Sequence, residues 1–253
     1  MKVSVGIITF NEEENLERCL KSCADLAAEI VVLDSGSTDR TQEIAEKFRA
    51  RFVHQDWLGY VGQKNLLLTL VKEDWILSLD ADEELSPALR EEIGNFQGID
   101  VAPEVAAFSV PRCVLYEARW IRHGDWYPDR LPRLFRKGRA RFSGGKVHER
   151  LEVQGKTIPL QSELYHHSFR DAADHWARCE KYARLWAESE YERGRKALPF
   201  APLTHAFFRW LRAFFFRRGF LDGRRGWRIA MFSARETFWK YRLLREMNAP
   251  RRR

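Results

Sequence analysis

Apolar and polar positions along the first hundred residues alternate in two rhythms. "VSVGIITF" (3–10) is an unbroken apolar run with β-branched residues, which reads as a strand buried on both faces. "NEEENLERCLKSCADL" follows with Leu16, Cys19, Leu20 and Cys23 at helical spacing, and Asn11 with Glu14 resembles a capping box. "EIVVLD" (29–34) predicts a second strand, and "STDRTQEIAEKF" a helix with Ser37 at its N-cap. "RFVHQ" predicts a third strand. "YVGQKNLLLTLV" predicts a helix that leads into the strand "WILSLD", and Ser86-Pro87 the cap and first position of another helix. This alternation, with strands apolar throughout, predicts a parallel α/β sheet. Ligands gather at the carboxyl ends of strands in such sheets.

After residue 105 the rhythm changes. "AAFSVPRCVLYEARWI" and "LPRLFRKGRARFSGG" predict antiparallel strands with a turn at Lys137-Gly138. Residues 171–195 predict a helix with Trp176, Cys179, Tyr182, Ala183 and Trp186 on one face. "LPFAP" breaks it, and helical patterns return at 203–218 and 226–247. No internal repeat or low-complexity segment interrupts the chain. The expected organisation is an α/β domain over 1–199, in halves 1–100 and 101–199, and a basic, amphipathic helical region over 200–253.

Composition narrows the class. The chain has 253 residues, 45% of them hydrophobic, enough for one large domain or a domain with an appendage. No apolar run approaches the ~20 residues a membrane span needs. The start, "MKVSVGIITFNEEE", mimics a signal peptide, but its apolar run is short and acids follow at once. A strand of a cytosolic protein is the expectation. Cys19, Cys23, Cys113 and Cys179 form no Cys-x-x-Cys, so reduced thiols serving as small apolar residues are expected, not a zinc site. Net charge is +7, unevenly placed: residues 200–253 hold 14 Lys/Arg against 3 Asp/Glu, or +11, while 1–199 carry −4. A basic tail of this kind suits nucleic acid, anionic lipid or another acidic partner.

The candidate chemistry sits at the predicted strand ends, 9–12, 34–39 and 80–82. In "WILSLDADEEL" an apolar strand ends in Asp80, Asp82, Glu83 and Glu84. Asp-x-Asp on an extended chain points both carboxylates to one side. Such oxygen ligands suit Mg²⁺ or Mn²⁺ shared with substrate phosphates. The ordinary alternative is a solvated turn whose acids favour the next helix N-terminus, and Glu83 and Glu84 fit that better than Asp80 and Asp82 do.

"VSVGIITFNEEENLERCL", "EIVVLDSGSTDRT", "GQKN" and "ILSLDADEEL" together resemble, in order and spacing, family 2 glycosyltransferases with the GT-A fold, a Rossmann-like, mostly parallel sheet flanked by helices. "RLFRKGRARFSGGKVHERL", "LYHHSF" and "GFLDGRRGW" resemble the branch that builds lipopolysaccharide inner core, nearest to glucosyltransferases that add β-linked glucose to core heptose. The resemblance implies a UDP-sugar donor bound by residues 1–100 and an acceptor met by 101–199. Thr9 and Asn11 would line the nucleotide pocket, Asp34 would accept from the base N3–H, and Lys64 would lie near the base or diphosphate. Asp80 would face the ribose and metal, Asp82 would bind Mg²⁺ or Mn²⁺ directly, and His166 would complete the metal site, with a structural histidine as the alternative. Which of His166 and His167 reaches the metal stays open.

Arg133 and Arg136 have the chemistry to grip phosphate oxygens, or stand as solvated strand charges. An inverting transferase needs a base beside the attacking hydroxyl. "GGKVHERL" offers Glu149 for that role, with His148 contacting the acceptor or the diphosphate; which of the two is the base stays open, and an exposed polar strand end is the ordinary alternative. "FFRWLRAFFFRRG" interleaves Phe207, Phe208, Trp210, Phe214 and Phe215 with arginines, which suits an interfacial helix on an anionic membrane or a helix packed on the catalytic domain. A lipopolysaccharide-core or other lipid-linked acceptor on the inner face of the cytoplasmic membrane matches the first reading. Two rivals are weighed. A nucleotidyltransferase would carry a glycine-rich basic loop after the first strand, where "TFNEEEN" is acidic. A nucleic-acid-binding protein would leave the acidic strand ends unexplained, so no nucleic-acid partner is expected.

Overall fold

The computed structural model describes residues 1–144, 149–169 and 172–249, and of Ala172 the backbone alone. The chain forms two compact units. The first joins 1–112 with 129–167, and the second joins 113–128 with the described residues from 168 onward. The expected boundary at 199/200 is not where the packing divides. Residues 113–128 and the first long helix belong with the C-terminal helices, around a core of Tyr116, Ile121 and Ile229 flanked by Trp126 and Phe169.

In the first unit the elements follow the predicted alternation: β1 (Val3–Thr9), α1 (Leu16–Cys23), β2 (Ala27–Asp34), α2 (Thr41–Lys47), β3 (Arg51–His54), α3 (Gly59–Leu70), β4 (Trp75–Asp80), β5 (Glu83–Leu85) and α4 (Pro87–Gly94). β6 (Val105–Tyr116) begins here and runs into the second unit, where β7 (Arg119–Ile121) pairs with its far end. Back in the first unit come β8 (Asp129–Arg136), β9 (Ala140–Gly144), β10 (Glu149–Val153), β11 (Lys156–Pro159) and β12 (Leu164–His166). The sheet order is β3-β2-β1-β4-β8-β6-β12-β5. β3, β2, β1 and β4 are mutually parallel; β8 is antiparallel to β4 and to β6. The α/β fold expected from the GT-A resemblance is therefore present, parallel in its first half and antiparallel beyond.

Both faces of the parallel half are covered. Val5, Ile7, Val32 and Leu77 pack with Leu16 and Leu20, while Val31, Leu33 and Ile76 pack with Leu67 and Phe135 on the other side. That two-sided burial is why the strands read as continuous apolar runs. Each such fully buried side chain contributes roughly 1.5–3 kcal/mol.

Several local expectations change. α1 begins at Leu16 without a side-chain cap. Asn11 instead adopts a left-handed backbone (φ +54°), donates its N–H to Ser37 Oγ (2.7 Å) and accepts from the Thr38 N–H (2.9 Å). Asx side chains bond readily to nearby backbone groups, and here the loop after β2 outcompetes the helix start. Ser37 caps nothing, because α2 starts at Thr41 and the Ser37 hydroxyl is spent on Asp34. Ser86 does cap α4, accepting from the Leu89 N–H at 3.1 Å with Pro87 following. The turn at Lys137-Gly138 forms, with Gly138 at φ +77°, but β9 pairs with β10 in a separate two-stranded ribbon, not with β8.

The second unit is built on three helices, α5 (Ala172–Glu192), α6 (Ala201–Leu211) and α7 (Gly223–Asn248); α5 and α6 both pack on α7. α6 runs into a π-helical turn, Arg212–Phe216, followed by a short 3₁₀ turn, Gly219–Asp222. Gly226 lets α7 approach that turn: a β-carbon there would lie 1.8 Å from Gly219 O. Among the described residues no helix is long and apolar enough to cross a membrane.

Candidate active site

Parallel register brings the polar strand ends together. Thr9 lies opposite Asp34 and Ile8 opposite Asp80, so β1, β2 and β4 deliver their carboxyl-terminal residues to one edge. The β9–β10 ribbon is tied to α3 by Asn65, whose amide donates to Phe142 O and whose carbonyl accepts from the Phe142 N–H, both at 2.9 Å. That tie brings Glu149, the first residue of β10, to the neighbouring Lys64.

Lys64 is 3% exposed, and its ammonium bridges two carboxylates, Asp80 Oδ1 at 2.8 Å and Glu149 Oε1 at 3.1 Å. Asp80 Oδ2 accepts from Arg133 Nη2 at 2.8 Å. Arg133 also donates to Glu83, which is fully buried and whose other oxygen accepts the Asp80 N–H at 3.0 Å. Arg112 closes the network, 3.6 Å from Glu83 and 2.7 Å from Asp129. Burial alone raises the Asp80 pKa, but the charges of Arg133 and Lys64 outweigh it and hold the carboxyl well below the usual range.

One residue on, Asp82 faces His166, with Oδ2 and Nε2 3.2 Å apart. β12 pairs antiparallel with β5, placing His166 opposite Glu83 and Tyr165 opposite Glu84. Burial raises the Asp82 carboxyl, and the hydrogen bond and charge of His166 more than reverse this. His167 turns to Glu84 (2.8 Å), and burial is the main cause of its lowered pKa. Glu12, in the loop after β1, completes the acidic edge. Burial raises its carboxyl, the bond from Asn15 offsets part, and the charges of Asp82, Asp39 and Asp80 add to the rise.

The sequence-derived candidates divide accordingly. Asp80, Asp82, Lys64, Arg133, Glu149 and His166 are placed at this edge by these contacts, with Thr9 and Asp34 on the adjacent strands. Asp34 accepts four bonds, from Thr9 Oγ1 and Ser37 Oγ on one oxygen and from the Gly36 and Ser37 N–H groups on the other. Its carboxylate thus fixes the loop after β2. Asp80, expected to face the metal, has both oxygens on cations. Arg136 is not at the site: it donates to Val105 O and Val101 O and lies over the Trp75 ring. His148 lies outside the described residues.

Sequence reasoning passed over Arg112 and Gln63, and it read Glu83 as a solvated turn acid, whereas Glu83 is fully buried on Arg133. Gln63 is fully buried and donates to Ser35 Oγ (3.0 Å) and Gln55 O (3.1 Å), joining α3 to the loops after β2 and β3. Its place in "GQKN" was the available signal.

Asp82 and His166 present a carboxylate oxygen and an imidazole nitrogen side by side, and His166 Nδ1 is buried with no partner among the described residues. Mg²⁺ characteristically takes one or two protein carboxylates and completes its shell with phosphate oxygens and water. The pair therefore fits a divalent ion as a half-site. Among the described residues no three His, Cys, Asp or Glu side chains form a metal-holding group by themselves.

The model of a family described as glycosyl transferase family 2 matches residues 4–152. An uncharacterized glycosyltransferase of Rickettsia bellii is 32% identical over 98% of this chain and 87% of its own length. The lipopolysaccharide core biosynthesis glycosyltransferase LpsC of Rhizobium meliloti is 30% identical over 78% of this chain and 74% of its own. The crystal structure of S. aureus TarS 1–349 aligns over 94% of this chain and 91% of that one, with 15% identity and a TM-score of 0.44.

Proposed function

Since the chain belongs to glycosyl transferase family 2 and is a glycosyltransferase, we propose that it moves a sugar, glucose by our reading, from a UDP-sugar to a heptose of a lipopolysaccharide core, with inversion at the anomeric carbon. The observation that carries this reading is the meeting of Lys64, Asp80, Arg133 and Glu149 at the carboxyl edge of the parallel strands. The likeness to LpsC supports the acceptor class.

In this reaction a bond forms between the acceptor oxygen and the anomeric carbon while the carbon–phosphate oxygen bond breaks. The electron pair leaves on the UDP diphosphate, and the acceptor proton goes to Glu149. Lys64 fixes the Glu149 carboxylate through Oε1, so the base is held in place before the acceptor arrives. Arg133, held by Glu83 and Asp80, is the guanidinium we assign to the diphosphate oxygens. Asp82 and His166 would hold Mg²⁺ or Mn²⁺, which would supply charge to stabilise the departing diphosphate. Asp34 and Thr9 shape the nucleotide pocket by holding the loop after β2. The acceptor keeps its lipid, so we place the reaction on the inner face of the cytoplasmic membrane.

The test is transfer from UDP-glucose to a heptose-terminated core oligosaccharide in Mn²⁺, followed by UDP release and by the anomeric configuration of the product. A panel of UDP-sugars and core acceptors that yields no acceptor-dependent UDP release, with folded protein, sinks the proposal.

A further inference from the structure

The C-terminal unit carries a surface that the transfer reaction does not use. Between the π-helical turn and the start of α7, large apolar side chains stand in solvent: Phe216 is 75% exposed, Leu221 55% and Trp227 46%, with Phe215 and Phe220 beside them. Behind them lies a pocket of about 570 Å³ with Phe214, Phe220, Trp227 and Met231 in its wall and Arg224 and Arg228 at its edge. The wall is stiff. Phe214 and Trp227 meet edge to face at 5.2 Å, and Trp210 packs against both. Exposed aromatics on this scale mark an interaction site.

Charge says what kind. Residues 200–231 hold seven arginines and one acid, Asp222. Arg209 and Arg212 are paired with the Asp125 carboxylate and Arg228 with that of Glu117, while Arg225 donates to the Glu117 backbone carbonyl. Arg217, Arg218 and Arg224 are exposed and have no carboxylate partner among the described residues. Three free guanidinium groups thus alternate with five exposed apolar side chains over eleven residues, 217 to 227 with the two phenylalanines just before. A second copy of this surface would bring like charges face to face. A duplex nucleic acid would meet the arginines but leave the phenylalanines in water.

We propose that this surface docks on an anionic lipid bilayer, the aromatic pocket taking an acyl chain and Arg217, Arg218 and Arg224 taking lipid phosphates. Apolar groups buried at the headgroup boundary and arginines on the phosphates are the two contributions that hold an interfacial segment. The docking stands on this surface alone, whatever the donor and acceptor prove to be.

The test is sedimentation of the full chain with vesicles of phosphatidylcholine alone or with about 30% phosphatidylglycerol, from low salt to about 0.15 M. Binding to the anionic vesicles, weakening with salt, is expected. Joint replacement Arg217→Gln, Arg218→Asn and Arg224→Gln should weaken it about a hundredfold, roughly fivefold per arginine. Asn is chosen at 218 because the backbone there is left-handed (φ +56°). Phe216→Glu with Leu221→Glu should abolish it, while thermal unfolding of both variants stays near that of the parent because the side chains are exposed. Equal binding to neutral vesicles overturns the proposal. So does binding displaced by free phosphate at matched ionic strength or by duplex DNA, insensitivity to Phe216→Glu and Leu221→Glu, or a light-scattering dimer that those two changes dissolve.

Discussion

Lys64 Nζ lies 2.8 Å from Asp80 Oδ1, and the lysine side chain is 3% exposed. A cation this deeply placed between two carboxylates cannot be removed quietly. Lys64→Met is expected to destabilise the chain by about 2 kcal/mol, less than a fully buried pair because Asp80 is partly exposed. It should also lower turnover, since Glu149 loses its anchor. Urea unfolding and steady-state transfer on the same preparation check both.

Glu83 should matter more to stability than any other acid at the site. Fully buried, it holds Arg133, and Arg112 lies 3.6 Å from it. Glu83→Gln leaves these cations under-compensated and is expected to cost about 3–5 kcal/mol. A loss of unfolding free energy in urea below about 1 kcal/mol would remove Glu83 from this role.

Glu149→Gln is expected to lower kcat about 10²–10⁴-fold with little change in the KM for the donor, because a base acts in the transition state. Near-normal kcat would transfer the role to another group.

UDP binding is expected to need a divalent ion. By calorimetry, UDP should bind at least tenfold more weakly, about 1.4 kcal/mol, in chelator than in Mn²⁺. His166→Ala should reduce that difference, while a role for His166 in packing alone would leave it intact.

His175, in the second unit, has its pKa pushed down to about 4, first by burial and then by Arg178, with Asp174 acting the other way. Its Nδ1 lies 3.1 Å from the Tyr116 hydroxyl, within an aromatic cluster including Trp126 and Phe169. Between about pH 6.5 and 4 the unfolded chain binds the proton more readily than the folded one. Stability contributed here is present above pH 6.5 and is lost as pH falls, by about 3 kcal/mol over the whole window. Thermal unfolding across that range should show the loss, and His175→Phe should flatten it.

The parallel half of the sheet was legible because burial on both faces leaves an uninterrupted apolar run, and the run's acidic end marks the edge where ligands collect. Asp80 and Asp82 were found this way, while Lys64, inside α3, was reached only through the resemblance carried by "GQKN". Glu83 was not, because two glutamates before Ser86-Pro87 look like a helix start; only the pairing of β5 with β12 and the burial of Arg133 show what it holds. Arg136 had the right local sequence for a phosphate, but the carbonyls of Val101 and Val105 claim it. Asn11 and Ser37 each match a cap, yet both are used to join the loop after β1 to the loop after β2. Such choices are made between segments distant in sequence, and local pattern carries no record of them.

The interleaving of the two units has a consequence for synthesis. β6 is shared: its first residues belong to one unit and Cys113–Tyr116 to the other, while 129–167 return to the first. The first unit cannot close its sheet until β12 has left the ribosome. The segment bearing Tyr116, Ile121 and Trp126 must then wait for Ile229 in α7, roughly a hundred residues later, which at about 5–20 residues per second is on the order of ten seconds. For that interval the nascent chain carries an aromatic segment with no core to enter, and it is there that a holding chaperone would find it.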